Sequence, residues 1–175
     1  MKVTTCRIPG VKLMELPVFP DSRGCFMPLI AERLHATHGI PTQWAETNLS
    51  VSEQGVIRGL HFQDPEPQAK LVTVVSGTIF DVALDLRPDS PTFGSFESFE
   101  LSAGGGGLPN QIYLPEGLAH GFATPVGPAS VVYHVSRPWR PDNEQLIPWD
   151  DERFAITWPL KNPKLSLRDG QETVS

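Results

Sequence analysis

An imidazole titrates near neutrality, with an unperturbed pKa of ~6.5, so histidines are the first residues to test for acid–base chemistry. The chain of 175 residues has five: His35, His38, His61, His120 and His134. His61 sits in Val56-Ile57-Arg58-Gly59-Leu60-His61-Phe62-Gln63, and His120 in Leu114-Pro115-Glu116-Gly117-Leu118-Ala119-His120-Gly121-Phe122. Each places a polar ring beside apolar residues, where a hydrogen-bonded core histidine is the ordinary outcome. His35 and His38 lie three apart on a candidate helix. Without a nearby Cys, Asp or Glu partner they make a poor metal pair, and a solvated helix face is expected. Arg58, Lys70, Arg87 and Tyr133 also fall in strand-like, core-forming segments. A barrel interior does not bury several cations without anionic company. An anionic ligand in the barrel mouth is therefore expected to satisfy them together. Tyr133 alternates with Val131 and Val135 and shares their face. In a regular strand, however, Arg58 and His61 point to opposite faces. A shared site needs a bulge, and Gly59 is the place for it.

The elements that must carry these residues are short. Eighteen prolines are spread along the chain, about twice the usual share, and Pro excludes long helices and coiled coils. One helix is expected over residues 29–35, with Gly39 able to end it. Phe80, Val82, Leu84 and Leu86 alternate with Asp81, Ala83 and Asp85, the pattern of a half-buried strand. Residues 69–76, 111–114 and 131–136 are further strand candidates, bounded by Gly or Pro. Gly104 to Gly107 lack the Lys-Ser/Thr of a phosphate loop and read as a hairpin connection. The expectation is one all-β domain over residues 1–175, a jelly-roll barrel.

The net charge is −6, from 14 basic against 20 acidic residues. With no basic run, nucleic acid and membrane surfaces are poor partners. No apolar run reaches the length of a membrane span. The N-terminus has no signal-peptide core. Cys6 and Cys25 form neither a metal spacing nor a disulfide framework. A soluble cytoplasmic protein with two unpaired thiols is expected.

Six motifs occur in order: Asp21-Ser22-Arg23-Gly24, Arg58-Gly59-Leu60-His61-Phe62-Gln63, Gln68-Ala69-Lys70-Leu71-Val72, Ser90-Pro91-Thr92-Phe93-Gly94, Pro115-Glu116-Gly117-Leu118-Ala119-His120-Gly121-Phe122 and Trp149-Asp150-Asp151. Together they closely resemble the dTDP-4-dehydrorhamnose 3,5-epimerase family of cupin-fold sugar-nucleotide epimerases, from about residue 19 to residue 169. The resemblance implies a double-stranded β-helix with one or two short peripheral helices, a homodimer, and no metal or cofactor. It implies epimerisation of a nucleoside-diphosphate 4-keto-6-deoxyhexose. His61 looks like the catalytic base, Asp169 like its orienting carboxylate and Tyr133 like the acid that returns a proton to the opposite face. Arg23, Arg58, Lys70 and His120 look like substrate and phosphate contacts, with Arg23 reaching the neighbouring subunit's site. Phe26, Asn48, Trp139, Glu144 and Arg168 are further substrate-contact positions implied by the resemblance.

The residue types suit that chemistry. A proton α to a ketone can leave if the enolate is stabilised. A neutral His takes it, a carboxylate fixes the tautomer and supports the imidazolium, and an ammonium such as Lys70 meets the developing oxyanion. Pro28 stands where the family commonly has Glu, Glu46-Thr47-Asn48 where it has Gln-Asp-Asn, and Pro138-Trp139 where it has Tyr-Tyr. The nucleotide base, and whether C3, C5 or both are inverted, stay open.

Two other readings compete. A metal-dependent cupin oxygenase or isomerase would use Pro115-x-Gly117-x-x-His120 as half of its site. Its other half needs His-x-His, and this chain has His61-Phe62-Gln63, one ligand short. A non-catalytic sugar-nucleotide-binding module would keep Arg23, Arg58 and Lys70 but needs no His–Asp pair with an opposed Tyr.

Overall fold

β-branched and aromatic residues recur at alternate positions between Gly- and Pro-rich turns, and the chain folds back on itself as short strands. A computed structural model describes residues 1–103 and 108–170. The strands are β1 (Lys2–Thr5), β2 (Lys12–Glu15), β3 (Phe19–Asp21), β4 (Gly24–Phe26), β5 (Glu46–Ser52), β6 (Ile57–Gln63) and β7 (Lys70–Ser76). They continue with β8 (Thr78–Asp85), β9 (Phe96–Ser102), β10 (Gln111–Leu114), β11 (Leu118–Ala123), β12 (Ala129–Val135) and β13 (Glu144–Leu146). A six-stranded sheet has the order β1-β2-β10-β7-β12-β5, and a five-stranded sheet the order β13-β6-β11-β8-β9. β3 and β4 form a separate hairpin. Gly104 to Gly107, expected as a hairpin connection, lie outside the described residues.

The two sheets pack face to face. Val72 and Val74 of β7, Ile112 of β10 and Val131 of β12 meet Ile79 and Ala83 of β8, Leu101 of β9 and Phe122 of β11. Burying each large apolar side chain contributes ~1.5–3 kcal/mol before entropy is charged against it. This closed all-β arrangement is the jelly-roll barrel expected of the chain.

Both outer faces are covered as well. Leu60, Val82, Leu84 and Ala119 lie under Ile147, Phe154, Ile156 and Trp158. Met14 and Leu71 lie under Ile30, Ile40 and Trp44. Strands covered on two sides have no solvent face. The half-buried strand expected at residues 80–86 is therefore buried over residues 81–85, with Asp81 and Asp85 at 0% exposure and Phe80 and Leu86 partly covered.

The helical segment is shorter than expected. A single turn, α1 (Glu32–His35), runs into a 3-10 turn at Ala36–His38. Gly39 ends it at φ 65°, a left-handed cap that suits glycine. The solvated His35–His38 face does not form. His38 is exposed, but His35 is fully buried, its Nε2 2.9 Å from Gln111 Oε1, with the Ala31 N–H donated to its Nδ1. The overlying sheet supplies the partner that one helical turn could not reveal. Cys6 and Cys25 are unpaired. Among the described residues no helix is long and apolar enough to cross a membrane.

Candidate active site

One end of the barrel is filled by the apolar core; the other opens into a cavity of about 450 Å³ between the sheets. The size suits a ligand of metabolite dimensions. From the five-stranded side come Arg58 and His61 of β6, His120 of β11 and Glu144 of β13. From the six-stranded side come Lys70 of β7, Tyr133 of β12, and Glu46, Asn48 and Ser50 of β5. Ser166, Arg168 and Asp169 close the rim from a C-terminal turn, and Trp139 stands beside them.

Arg58 and His61 both reach the cavity because β6 is bulged at Gly59. Arg58 pairs with Phe122 and His61 with His120, so three steps of β6 run against two of β11. Gly59 has φ 106°, and a Cβ there would lie 2.6 Å from the His120 carbonyl oxygen. Only glycine satisfies both conditions. The parity conflict between Arg58 and His61 is resolved at that residue.

His61 Nε2 lies 2.7 Å from Asp169 Oδ1. Burial pushes the Asp169 carboxyl up, but the hydrogen bond and charge of His61, together with Ser166 and Arg168, outweigh it and hold the group below its usual range. With Nε2–H donated to Asp169, the free lone pair lies on Nδ1. Lys70 is buried and donates from Nζ to the His61 carbonyl oxygen at 3.1 Å. Desolvation lowers its pKa to about 8, against the charges of Glu144 and Asp81. Burial pushes the Tyr133 phenol above its usual value; Arg58 opposes the shift, and Glu144 and Glu46 add to it. Arg58 is oriented by Ser52 Oγ, 2.9 Å from its Nε, and by the Val51 carbonyl. At the mouth, Glu144 accepts from Arg168 at 2.6 Å and from the Trp139 indole N–H.

Three expectations need correction or completion. Arg87 does not join the cavity: its guanidinium is paired with Asp85. The cations therefore do not all wait for one ligand, and two of the histidines have carboxylate partners inside the protein. Arg23 and Phe26 are not brought to this chain's own cavity. They project from the β3–β4 hairpin, with Arg23 paired to Asp21 and Phe26 67% exposed beside Phe19.

Sequence reasoning missed Asp81, whose Oδ2 lies 2.7 Å from His120 Nε2. The alternation at residues 80–86 contained it, but a half-buried pattern does not say which set faces inward. Glu46 and Ser50 were not singled out as cavity residues either. Their signal is a polar alternation, Glu46, Asn48, Ser50 and Ser52, with Leu49 and Val51 left exposed on the other face. Among the described residues no group of three or more His, Cys, Asp or Glu could hold a metal ion.

A jelly-roll barrel with two histidine–carboxylate pairs and an opposed tyrosine in its mouth defines a class first: a cupin-fold protein with a polar, ionisable cavity. Comparison narrows the class. The family model for dTDP-4-dehydrorhamnose 3,5-epimerase matches residues 5–174. The epimerase of that name from Pseudomonas aeruginosa is 41% identical over 173 residues, covering 98% of this chain and 94% of the relative. One from Neisseria gonorrhoeae is 40% identical over 170 residues, covering 97% of this chain; the chain spans only 51% of that relative's length. The crystal structure of dTDP-6-deoxy-D-glucose-3,5-epimerase from Legionella pneumophila, in complex with dTDP-4-keto-L-rhamnose, superimposes with a TM-score of 0.87 at 36% identity, covering 96% of this chain and 89% of that one. The chain belongs to the dTDP-4-dehydrorhamnose 3,5-epimerase family, a family of isomerases.

Proposed function

We propose that this protein epimerises a nucleoside-diphosphate 4-keto-6-deoxyhexose of the dTDP-4-dehydrorhamnose type at C3, C5 or both. The observation that carries the reading is the placement of His61 and Tyr133 on opposite walls of one cavity, on β6 and β12 of different sheets. A sugar ring between them presents one face to each. His61 takes the proton α to the ketone, and Asp169 supports the imidazolium that forms. The negative charge moves onto the 4-keto oxygen, where the Lys70 ammonium stabilises it. Tyr133, held protonated by burial, returns a proton to the other face. The sequence of steps transfers only protons, so it calls for no redox cofactor.

Arg58, His120 and Arg168 supply positive or donor groups for the diphosphate, and Phe26, Asn48, Trp139 and Glu144 bound the sugar and base. The Legionella relative holds a dTDP-linked keto-sugar, which supports a thymidine nucleotide here. Glu46 lines the cavity where the family commonly has Gln, so the base remains the point to test. The exposed hairpin carrying Arg23 and Phe26 fits a homodimer in which each chain completes its partner's site, with residues 1–175 as one epimerase domain. Native mass should then be twice 19.2 kDa. We place the protein in the cytoplasm, where the unpaired Cys6 and Cys25 stay reduced. The metal-dependent reading is disfavoured by the donor set: His61 and His120 are each committed to a carboxylate, and the Gln63 amide is bonded to backbone.

The test is incubation with dTDP-, UDP-, CDP- and GDP-linked 4-keto-6-deoxyhexoses in D2O, read by proton NMR. Exchange with inversion at C3, C5 or both is expected with one nucleotide. Tyr133→Phe should cut epimer formation ~10²–10⁴-fold while His61 still exchanges deuterium on the original face. Failure of every keto-sugar to exchange overturns the reading.

A further inference from the structure

The cavity holds a second histidine–carboxylate pair that the proton transfers above leave unused. Asp81 stands on the inward side of β8, fully buried and behind the cavity wall, and contacts His120, which lines it. The other carboxylate oxygen, Oδ1, has no hydrogen-bond partner among the described residues. A buried carboxylate left half-satisfied costs stability unless nearby charge offsets it. One group bonds to it and a second feels its charge. His120 binds it directly, and the Lys70 ammonium is held up electrostatically by Asp81 and Glu144. His120 and His61 are register partners in the β6–β11 ladder, and Lys70 donates to the His61 carbonyl. Asp81 thus bonds one of the groups that would meet the substrate's negative charge and acts on the other through its charge.

We propose that Asp81 is a positioning residue for the reaction: it holds the His120 ring with Nε2–H on its carboxylate and Nδ1 toward the substrate, on the His61–His120 rung to which Lys70 donates. The inference rests on the epimerase reading of the cavity. Register with Phe99 and Phe122 on the flanking strands fixes Asp81 in mid-sheet.

The groups that share the Lys70 environment are Glu144 of β13, Asp81 of β8, His61 and Arg58 of β6, His120 of β11, Tyr133 of β12, Glu46 of β5, and Arg168 and Asp169 of the C-terminal turn. Burial already brings Lys70 to about 8. Loss of the Asp81 charge disfavours the ammonium further, so the proton leaves at lower pH. Activity that needs the ammonium then fails at lower pH.

Asp81→Asn keeps the shape and removes the charge. The alkaline limb of its kcat profile should move down by roughly one pH unit. Above the limb kcat should then fall about tenfold relative to wild type, with KM changed less. A merely structural role would lower the active fraction and leave the limb in place, which overturns the proposal. If Asp81→Asn does not fold, nitrogen NMR of 15N-histidine wild-type protein reads the same point. His120 should carry its proton on Nε2; a proton on Nδ1 with a bare Nε2 overturns the assignment. That spectrum needs no substrate. The expected His120 tautomer in a protein that exchanges no keto-sugar proton would support the ring's orientation and sink the epimerase reading alone.

Discussion

His61 and His120 sit opposite each other on one rung of the β6–β11 ladder, yet their carboxylates come from unlike regions. Asp81 belongs to the middle of β8, fully buried, with a strand hydrogen-bonded on either side. Asp169 belongs to a turn beyond the last strand, next to Leu167, which is 93% exposed. Local bonds hold that turn: the Asp169 N–H donates to Ser166 Oγ, the Gly170 N–H to the Ser166 carbonyl, and Arg168 to Glu144. The sheet holds its carboxylate by backbone pairing on both sides, and the turn holds its own by a few local hydrogen bonds. The proposed base, His61, is paired with the second kind, and His120 with the first.

The sharpest way to break this comparison is to delete the ring on the turn side. His61→Ala should reduce solvent deuterium exchange by ~10⁴-fold, the upper end for a positioned general base. Thermal unfolding should change little. Exchange at the wild-type rate would make His120 the base and reverse the two roles.

Asp169→Asn should cost less, ~10²-fold in exchange, because the base remains but its tautomer and charge support do not. Its pH signature is signed. The carboxyl is held below its ordinary 3.8, so its pairing stabilises the fold fully above that value. The contribution is lost as pH falls through the lower folded-state pKa. Acid unfolding of wild type should contain this component, and the variant's should lack it. Identical acid transitions would show that the turn-held pair adds nothing to stability.

Lys70 separates activity from stability. Its pKa falls from 10.5 to about 8 on burial. Between those values the unfolded chain binds a proton that the folded one does not, so stability rises with pH across that window. Lys70→Met should abolish the rise and increase Tm at pH 7 by about 2–4 °C per kcal/mol recovered. Epimerisation should fall at the same time. A drop in Tm would mean that the ammonium stabilises the fold.

The smallest effect on activity is expected outside the barrel. His35→Leu leaves Gln111 Oε1 without its partner and should destabilise by ~1–3 kcal/mol. Activity per folded molecule should be unchanged. A changed rate would tie the α1 segment to the cavity.

Much of this was legible in the residues. Gly and Pro spacing and period-two alternation announced short strands, and β7, β8, β10 and β12 lie within a few residues of the expected segments. The conflict between Arg58 and His61 located the bulge at Gly59 before any coordinate did. Ordered motifs brought the family into view.

Other features were invisible because they depend on what lies across a sheet. Alternation states that two faces differ; it does not say which faces inward. β5 turns its polar side to the cavity, β8 turns Asp81 inward beside the core residues Ile79 and Ala83, and the other side of β8 is packed under Phe154 and Trp158 from a distant segment. Arg87 was grouped with the cations expected around one anionic ligand, but its carboxylate partner is Asp85, two residues away. His35 read as solvated because its partner, Gln111, lies 76 positions along the chain. Sequence determines period, turn and residue type, since those act between near neighbours. Only the closed barrel decides which side of each strand is dry and which charges share a wall, since burial is a property of the whole packed molecule.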